Sequence, residues 1–184
     1  MNFINNLIVS LRAISVITVL TGLIYPVLMT FFAMGAADSK RNGSIVFKNG
    51  KPVGSELIAQ KFTLEKYFHS RPSAGDYSTM PSGASNLGPT SKALKESAMK
   101  ASVRSADMMF SSGSGLDPHI SPTSAFLQME RVSKSRNFSE KEKLRLKSLI
   151  EEKIERRQFG FLGEERVNVL LLNLELDNER RFSP

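Results

Sequence analysis

Residues 13–37 contain no charged side chain, an unbroken run of 25. At about 1.5 Å of rise per residue, a helix of that length reaches roughly 37 Å, against about 30 Å of bilayer hydrocarbon. The chain is therefore expected to cross a membrane once, near its N-terminus. A cleaved signal peptide fits less well, because its apolar stretch is usually only ~7–15 residues and follows a more basic flank than Arg12 alone. The expected organisation is an uncleaved anchor with a short N-terminal flank over residues 1–37, and one soluble domain over residues 38–184.

The apolar run carries a stripe. Ser15, Thr18, Gly22 and Pro26 recur at three- and four-residue spacing, which gathers small or kinking residues on one helix face. In lipid, such faces let a second helix approach closely, and a proline is better tolerated where neighbours satisfy the freed carbonyl. These four residues are the candidate membrane-helix interface. Charge alone leaves the orientation open. Arg12 precedes the run, Lys40, Arg41, Lys48 and Lys51 follow it, and long domains translocate largely regardless of charge.

Composition removes several function classes. The chain has no cysteine and two histidines, so disulfides, thiolate metal sites and an all-histidine zinc site are excluded. The net charge is +7, and every acidic residue lies from Asp38 onward. With no basic run interleaved with aromatics and no tryptophan, nucleic acid is not an expected partner.

The remainder alternates strand and helix signals. Residues 43–52 read as a hairpin turning at Asn49-Gly50, both of which tolerate positive φ. Residues 57–68 read as a short mixed segment with helical character, and residues 71–89 as a long Ser/Gly/Pro loop. A helix is expected over residues 89–106 and a short buried strand over residues 108–110. Ser121-Pro122 opens a further helix, and the capping box Ser139-Glu140-Lys141-Glu142 opens one ended by Gly160 and Gly163. The apolar residues of 166–176 read as a largely buried strand. The fold class expected is an α+β (or α/β) domain tethered by one N-terminal transmembrane helix.

The densest chemical constellation is Ser112, Gly113, Ser114, Gly115, Asp117, His119 and Ser121. It is the candidate partner or nucleotide loop. Ser, Asp and His so close together invite an alternative reading, a membrane-anchored hydrolase using Ser114, Asp117 and His119. A triad, however, usually converges from distant chain positions, whereas an Asp beside a proline commonly holds a turn through backbone N–H groups two residues on. No catalytic residue and no metal ligand is assigned. A phosphate-binding P-loop is absent: around Gly50-Lys51 the required earlier glycine is Ile45 and the required Ser or Thr is Pro52. No Asp-Lys-Thr-Gly segment of a phosphorylated ATPase is present either.

Several phrases converge in order along the chain: Tyr67-Phe68-His69-Ser70-Arg71-Pro72-Ser73-Ala74, Ser82-Gly83-Ala84-Ser85-Asn86-Leu87-Gly88-Pro89, Asp117-Pro118-His119-Ile120-Ser121-Pro122, Gly160-Phe161-Leu162-Gly163-Glu164 and Arg166-Val167-Asn168-Val169. With the N-terminal span, this pattern closely resembles the KdpC family, the small C subunit of the Kdp potassium-transporting (P-type) ATPase of bacteria and archaea. Ala84 and Glu165 are mild departures, standing where the family pattern has glycine and proline.

The resemblance implies a non-catalytic accessory subunit of a high-affinity, ATP-driven potassium uptake complex. Its partners would be an ATP-hydrolysing subunit and a potassium-channel-like subunit in the cytoplasmic membrane. It implies that the subunit stabilises the complex and raises the ATP affinity of the ATP-hydrolysing subunit, as a catalytic chaperone. It also implies a single-pass topology with the soluble domain outside the cytoplasm. ATP is then on the other side of the membrane, so an exported domain would act by biasing pump conformations. Direct binding of ATP to this chain stays open, and no covalently bound cofactor is expected.

Overall fold

The computed structural model describes residues 3–101 and 103–178. The chain divides into two compact units, Met1–Ser44 and Ile45–Pro184.

The first unit is a helical rod. Helix α1 (Phe3–Val19) runs through a π turn (Leu20–Ile24) into α2 (Tyr25–Ala36). The 34 residues Phe3–Ala36 form one helix long and apolar enough to cross a membrane. At about 1.5 Å per residue its length is roughly 50 Å. The π turn has an identifiable cause. Pro26 has no N–H, and its ring crowds the carbonyl four residues back, at Gly22. The Tyr25 N–H bonds Leu20 O instead, an i→i−5 bond that widens the turn. The hydroxyls of Ser15, Thr21 and Thr30 donate to the carbonyls of Leu11, Ile17 and Pro26 at 2.7–2.8 Å, which removes three bare donors from an apolar surface. A single helical turn, α3 (Asp38–Arg41), follows. It is tied by Arg41 Nη2 to Asp38 Oδ1 at 2.7 Å.

The second unit begins with the hairpin β1 (Ile45–Lys48) and β2 (Lys51–Ser55). Asn49 and Gly50 both have positive φ, 53° and 75°, the backbone that a two-residue hairpin turn of the right twist demands. Then come α4 (Lys92–Lys100), the turn α5 (Ala106–Met109), β3 (His119–Ile120), α6 (Pro122–Ser135), α7 (Glu140–Glu152), β4 (Ile154–Glu155), β5 (Arg166–Asn168) and α8 (Val169–Leu176). The second sheet has the order β3-β5-β4. Every strand pair among the described residues is antiparallel. The architecture is thus mixed helices with small sheets, and of the two readings α+β is the one that antiparallel pairing fits.

The core gathers Phe68, Ile120, Ala125, Val132, Leu146, Leu149, Ile150, Val167, Val169, Leu172 and Leu176. Its helices begin as the sequence prescribes. The Ser121 hydroxyl accepts the Ser124 N–H ahead of Pro122, and Ser139 with Glu142 forms a full capping box.

Several expected elements are different. Residues 57–68 form no helix, and the N–H and carbonyl of Phe68 that a helix would use are both taken by the Asn173 side chain. The helix expected over residues 89–106 is confined to Lys92–Lys100: Ser91 caps it, and Ala101 is already extended at ψ 127°; Ser102 lies outside the described residues. Residues 108–110 are not a strand. Ser105 is extended, and Met108 N–H bonds its carbonyl at 3.1 Å, closing the turn α5. Helix α7 stops at Glu152, before the glycines, since Ile154 is taken into pairing with Val167.

The largest difference falls on residues 166–176, which are strand only as far as Asn168. There the Asn168 side chain accepts the Leu171 N–H at 3.2 Å and starts α8. Val169, Leu172, Asn173 and Leu176 are buried at helical spacing.

Candidate functional site

Three elements position the Asp117–His119 segment. Pro118 O accepts the Val169 N–H at 3.0 Å and Leu116 O accepts the Ala59 N–H at 2.8 Å. His119 then enters β3 opposite Asn168. Gly115 has φ +72°, and a Cβ there would lie 2.8 Å from Gly83 O. The loop 82–88 and the loop 112–116 therefore meet at a point where only glycine fits.

Asp117 is the hub. One carboxylate oxygen, Oδ1, accepts the His119 N–H at 3.0 Å, closing a local turn. The other, Oδ2, accepts from Arg71 Nη1 at 3.0 Å. The His119 ring lies between two carboxylates, with Nδ1 3.6 Å from Asp117 and Nε2 3.7 Å from Glu155. Arg166 in turn donates to Glu155 at 2.9 Å through both Nε and Nη2. Burial pushes the Asp117 carboxyl up, but bonds from the His119 ring and N–H and from Arg71 outweigh it, leaving it below its ordinary range.

Asp107 forms a second knot, at the start of α6. It accepts the Ser121 N–H at 2.7 Å and the Ser124 hydroxyl, and Ser105 joins Ser124 at 2.6 Å. Burial raises its carboxyl, and the Ser121 N–H with the surrounding hydroxyls more than compensates, so it too is held low. Arg71 Nε donates to Asp107 O at 3.2 Å, so one guanidinium touches both knots.

The other candidate residues serve the same loop. The Ser112 hydroxyl is buried and accepts the Asp117 N–H at 3.4 Å, and Ser114 Oγ accepts the Leu116 N–H at 3.1 Å. Gly113 has open space around its Cβ position. Ser121 caps α6. Among the described residues no hydrogen bond joins Ser114 to His119, whose ring faces carboxylates on both sides. This is a base with no nucleophile to serve. Sequence reading did not assign a role to Arg71, Asp107, Glu155 or Arg166. Arg71 stood inside a quoted phrase, yet its partner Asp117 is 46 positions on.

A polar cleft of about 310 Å³ opens beside this network, lined by Arg71, Asp107, Asp117, His119, Glu164, Glu165 and Arg166 among others. Four carboxylates against two guanidinium groups make it a poor receptor for a polyphosphate. Among the described residues no group of three or more His, Asp or Glu is arranged to hold a metal ion.

On the apolar N-terminal helix, Ser15, Thr18, Gly22 and Pro26 are all exposed, and a Cβ at Gly22 would meet nothing within 4 Å. Gly22 sits inside the π turn, and Pro26 just beyond it.

The chain from residue 7 to residue 178 matches the family model described as KdpC: K+-transporting ATPase, c chain. It belongs to the KdpC family. The potassium-transporting ATPase KdpC subunit of Leptospira interrogans is 46% identical over 190 residues, covering 97% of each chain. That of Koribacter versatilis is 45% identical and covers 94% of each. The Synechocystis subunit is 44% identical, over 95% of this chain and 99% of its own. The KdpC match takes in both the apolar N-terminal helix and the Asp117–His119 network. These relatives are named as subunits of the ATPase, and the arrangement around Asp117 is that of a structural knot.

Proposed function

We propose that this chain is the non-catalytic C subunit of an ATP-driven potassium uptake complex, and that it acts by stabilising the complex and raising the ATP affinity of the ATP-hydrolysing subunit. The observation that carries the reading is the match to the KdpC family over the helix and the domain together. In this reading residues 1–37 anchor the chain in the cytoplasmic membrane. Residues 38–184 form the soluble domain outside the cytoplasm. The Ser15/Thr18/Gly22/Pro26 face lies against a helix of the channel-like or the ATP-hydrolysing subunit.

Two features speak for an allosteric rather than a nucleotide-binding role. The backbone N–H groups of Gly115 and Leu116, which an anion nest would need, are already used, on Ser112 O at 3.2 Å and Ser114 Oγ at 3.1 Å. The adjoining cleft is rich in carboxylates. A subunit that never touches ATP raises its affinity only by binding one pump conformation better than another, typically by about 1–3 kcal/mol.

The deciding experiment compares the assembled complex with and without this chain. The ATP concentration for half-maximal potassium-stimulated hydrolysis is expected to rise on its removal, while calorimetry of the full chain in detergent shows no heat of ATP binding. Tight ATP binding by the chain alone, abolished by changing Ser114 or Gly113, would reject the mechanism and leave the family membership standing.

A further inference from the structure

The loop joining β4 to β5 is closed on itself. Gln158 and Leu162 exchange both backbone hydrogen bonds at 2.9 Å, and Gly160 and Phe161 N–H groups bond back to Arg157 O and Gln158 O at 3.2 Å. The tip so fixed turns apolar side chains outward: Phe159 is 86% exposed, Phe161 70% and Leu162 47%. Phe159 holds a left-handed backbone, φ +52°, which is costly for a bulky residue and here is not offset by any burial of the ring. Arg156 and Arg157 adjoin the tip and are exposed, and among the described residues neither makes an ion pair. The two carboxylates on the return side, Glu164 and Glu165, line the polar cleft with Arg71 and Arg166.

We infer that this tip, Phe159, Phe161 and Leu162 with Arg156 and Arg157, is a second membrane contact that inserts its rings at the headgroup boundary of an anionic bilayer. The inference rests on the reading of Phe3–Ala36 as a membrane anchor, which keeps the domain at a bilayer surface. A convex, rigid apolar tip suits a soft phase that needs no preformed pocket, and rings of this kind enter the headgroup–acyl boundary by about 5–10 Å. Arg156 and Arg157 beside it supply attraction to anionic headgroups, roughly fivefold each, offset in part by the exposed carboxylates of Glu164 and Glu165 on the return side.

The chain has no tryptophan, so one introduced residue is its only indole. Three full-length variants, Phe161→Trp, Phe31→Trp and Leu144→Trp, are reconstituted into phosphatidylcholine/phosphatidylglycerol vesicles with and without acyl-brominated lipid. Phe161→Trp emission is expected to be quenched about twofold or more beyond that of the exposed Leu144→Trp. Adding Arg156→Gln and Arg157→Gln, or raising the salt, should reverse most of that difference. Failure of Phe31→Trp to be quenched would overturn the anchor reading itself. Strong quenching of Phe31→Trp with Phe161→Trp no different from Leu144→Trp would overturn the lipid contact alone. Shielding of Phe161→Trp from acrylamide only in the assembled pump would then give the tip to a protein partner.

Discussion

The side-chain amide of Asn173 brackets the backbone of Phe68, accepting its N–H at 2.8 Å and donating to its carbonyl at 2.9 Å. One residue on, Gln128 does the same for His69, at 2.8 and 3.1 Å. Both amides are almost wholly buried. Two side chains on two helices thus stand in for a neighbouring strand, and a loop with no ladder of its own is threaded through the core.

Asn173→Leu fills the same space but strands a buried N–H and a buried carbonyl. It is expected to destabilise the domain by about 2–6 kcal/mol, since each orphaned group costs about 1–3 kcal/mol. Asn173→Asp keeps the acceptor but turns a carboxylate oxygen toward the Phe68 carbonyl in a buried site, so near neutral pH it should cost at least as much. Urea unfolding of the full chain in mild detergent measures both variants, and a loss under about 1 kcal/mol for each would contradict the bracketing role.

Acid should weaken the domain in two steps. His69 is held below its ordinary 6.5 by burial and by Arg131. Its folded form therefore resists protonation, and its contribution is present above pH 6.5 and declines as pH falls toward the folded value. Asp107 and Asp117 are held below their ordinary 3.8, so their contribution is present above that value and declines below it. Melting temperature against pH should show both declines. His69→Gln should abolish the upper one only.

Two neighbouring glycines should behave differently. Gly115→Ala places a methyl 2.8 Å from Gly83 O on a left-handed backbone, and a loss of about 1–3 kcal/mol is expected. Gly113→Ala enters open space and should be nearly neutral. Thermal melts of the two variants make the comparison, and similar stability would argue against close contact between the two loops.

Gly22 and Thr18 are exposed, and a Cβ at Gly22 would meet no neighbour within 4 Å, so Gly22→Leu, alone or with Thr18→Leu, adds bulk on the outer surface of the rod. Helicity of the isolated chain should be unchanged, while recovery of the intact complex in mild detergent falls, because the added side chains hold helices apart. Unchanged recovery of the double variant would remove this face from the assembly.

What the sequence disclosed was local chemistry. Asn49-Gly50, Ser121-Pro122 and Ser139 with Glu142 each specify a turn or cap within four residues, and each is found where expected. The Asp117 turn was legible for the same reason. The ion pair to Arg71 and the His119–Glu155 approach were not, because their partners are brought together only by the packed sheet and helices. Residues 166–176 show how a local signal loses to a pattern. The alternation of Val167, Val169 and Leu171 suggested a strand. Asn168 is also a good helix cap, and Val169, Leu172, Asn173 and Leu176 share a helical face. The buried polar Asn173 on that face was the visible warning, since a buried amide needs partners.

The widened turn before Pro26 changes the geometry of the rod's surface. In a regular α-helix, residues four apart drift by about 40° at each step, so Thr18, Gly22 and Pro26 would wind around the axis. The i→i−5 bond from Tyr25 to Leu20 takes back part of that rotation. The three positions are drawn closer to a line parallel to the axis than a regular helix would place them. A partner helix packed on the proposed face would therefore run nearly parallel to this one, with its alignment set by a proline.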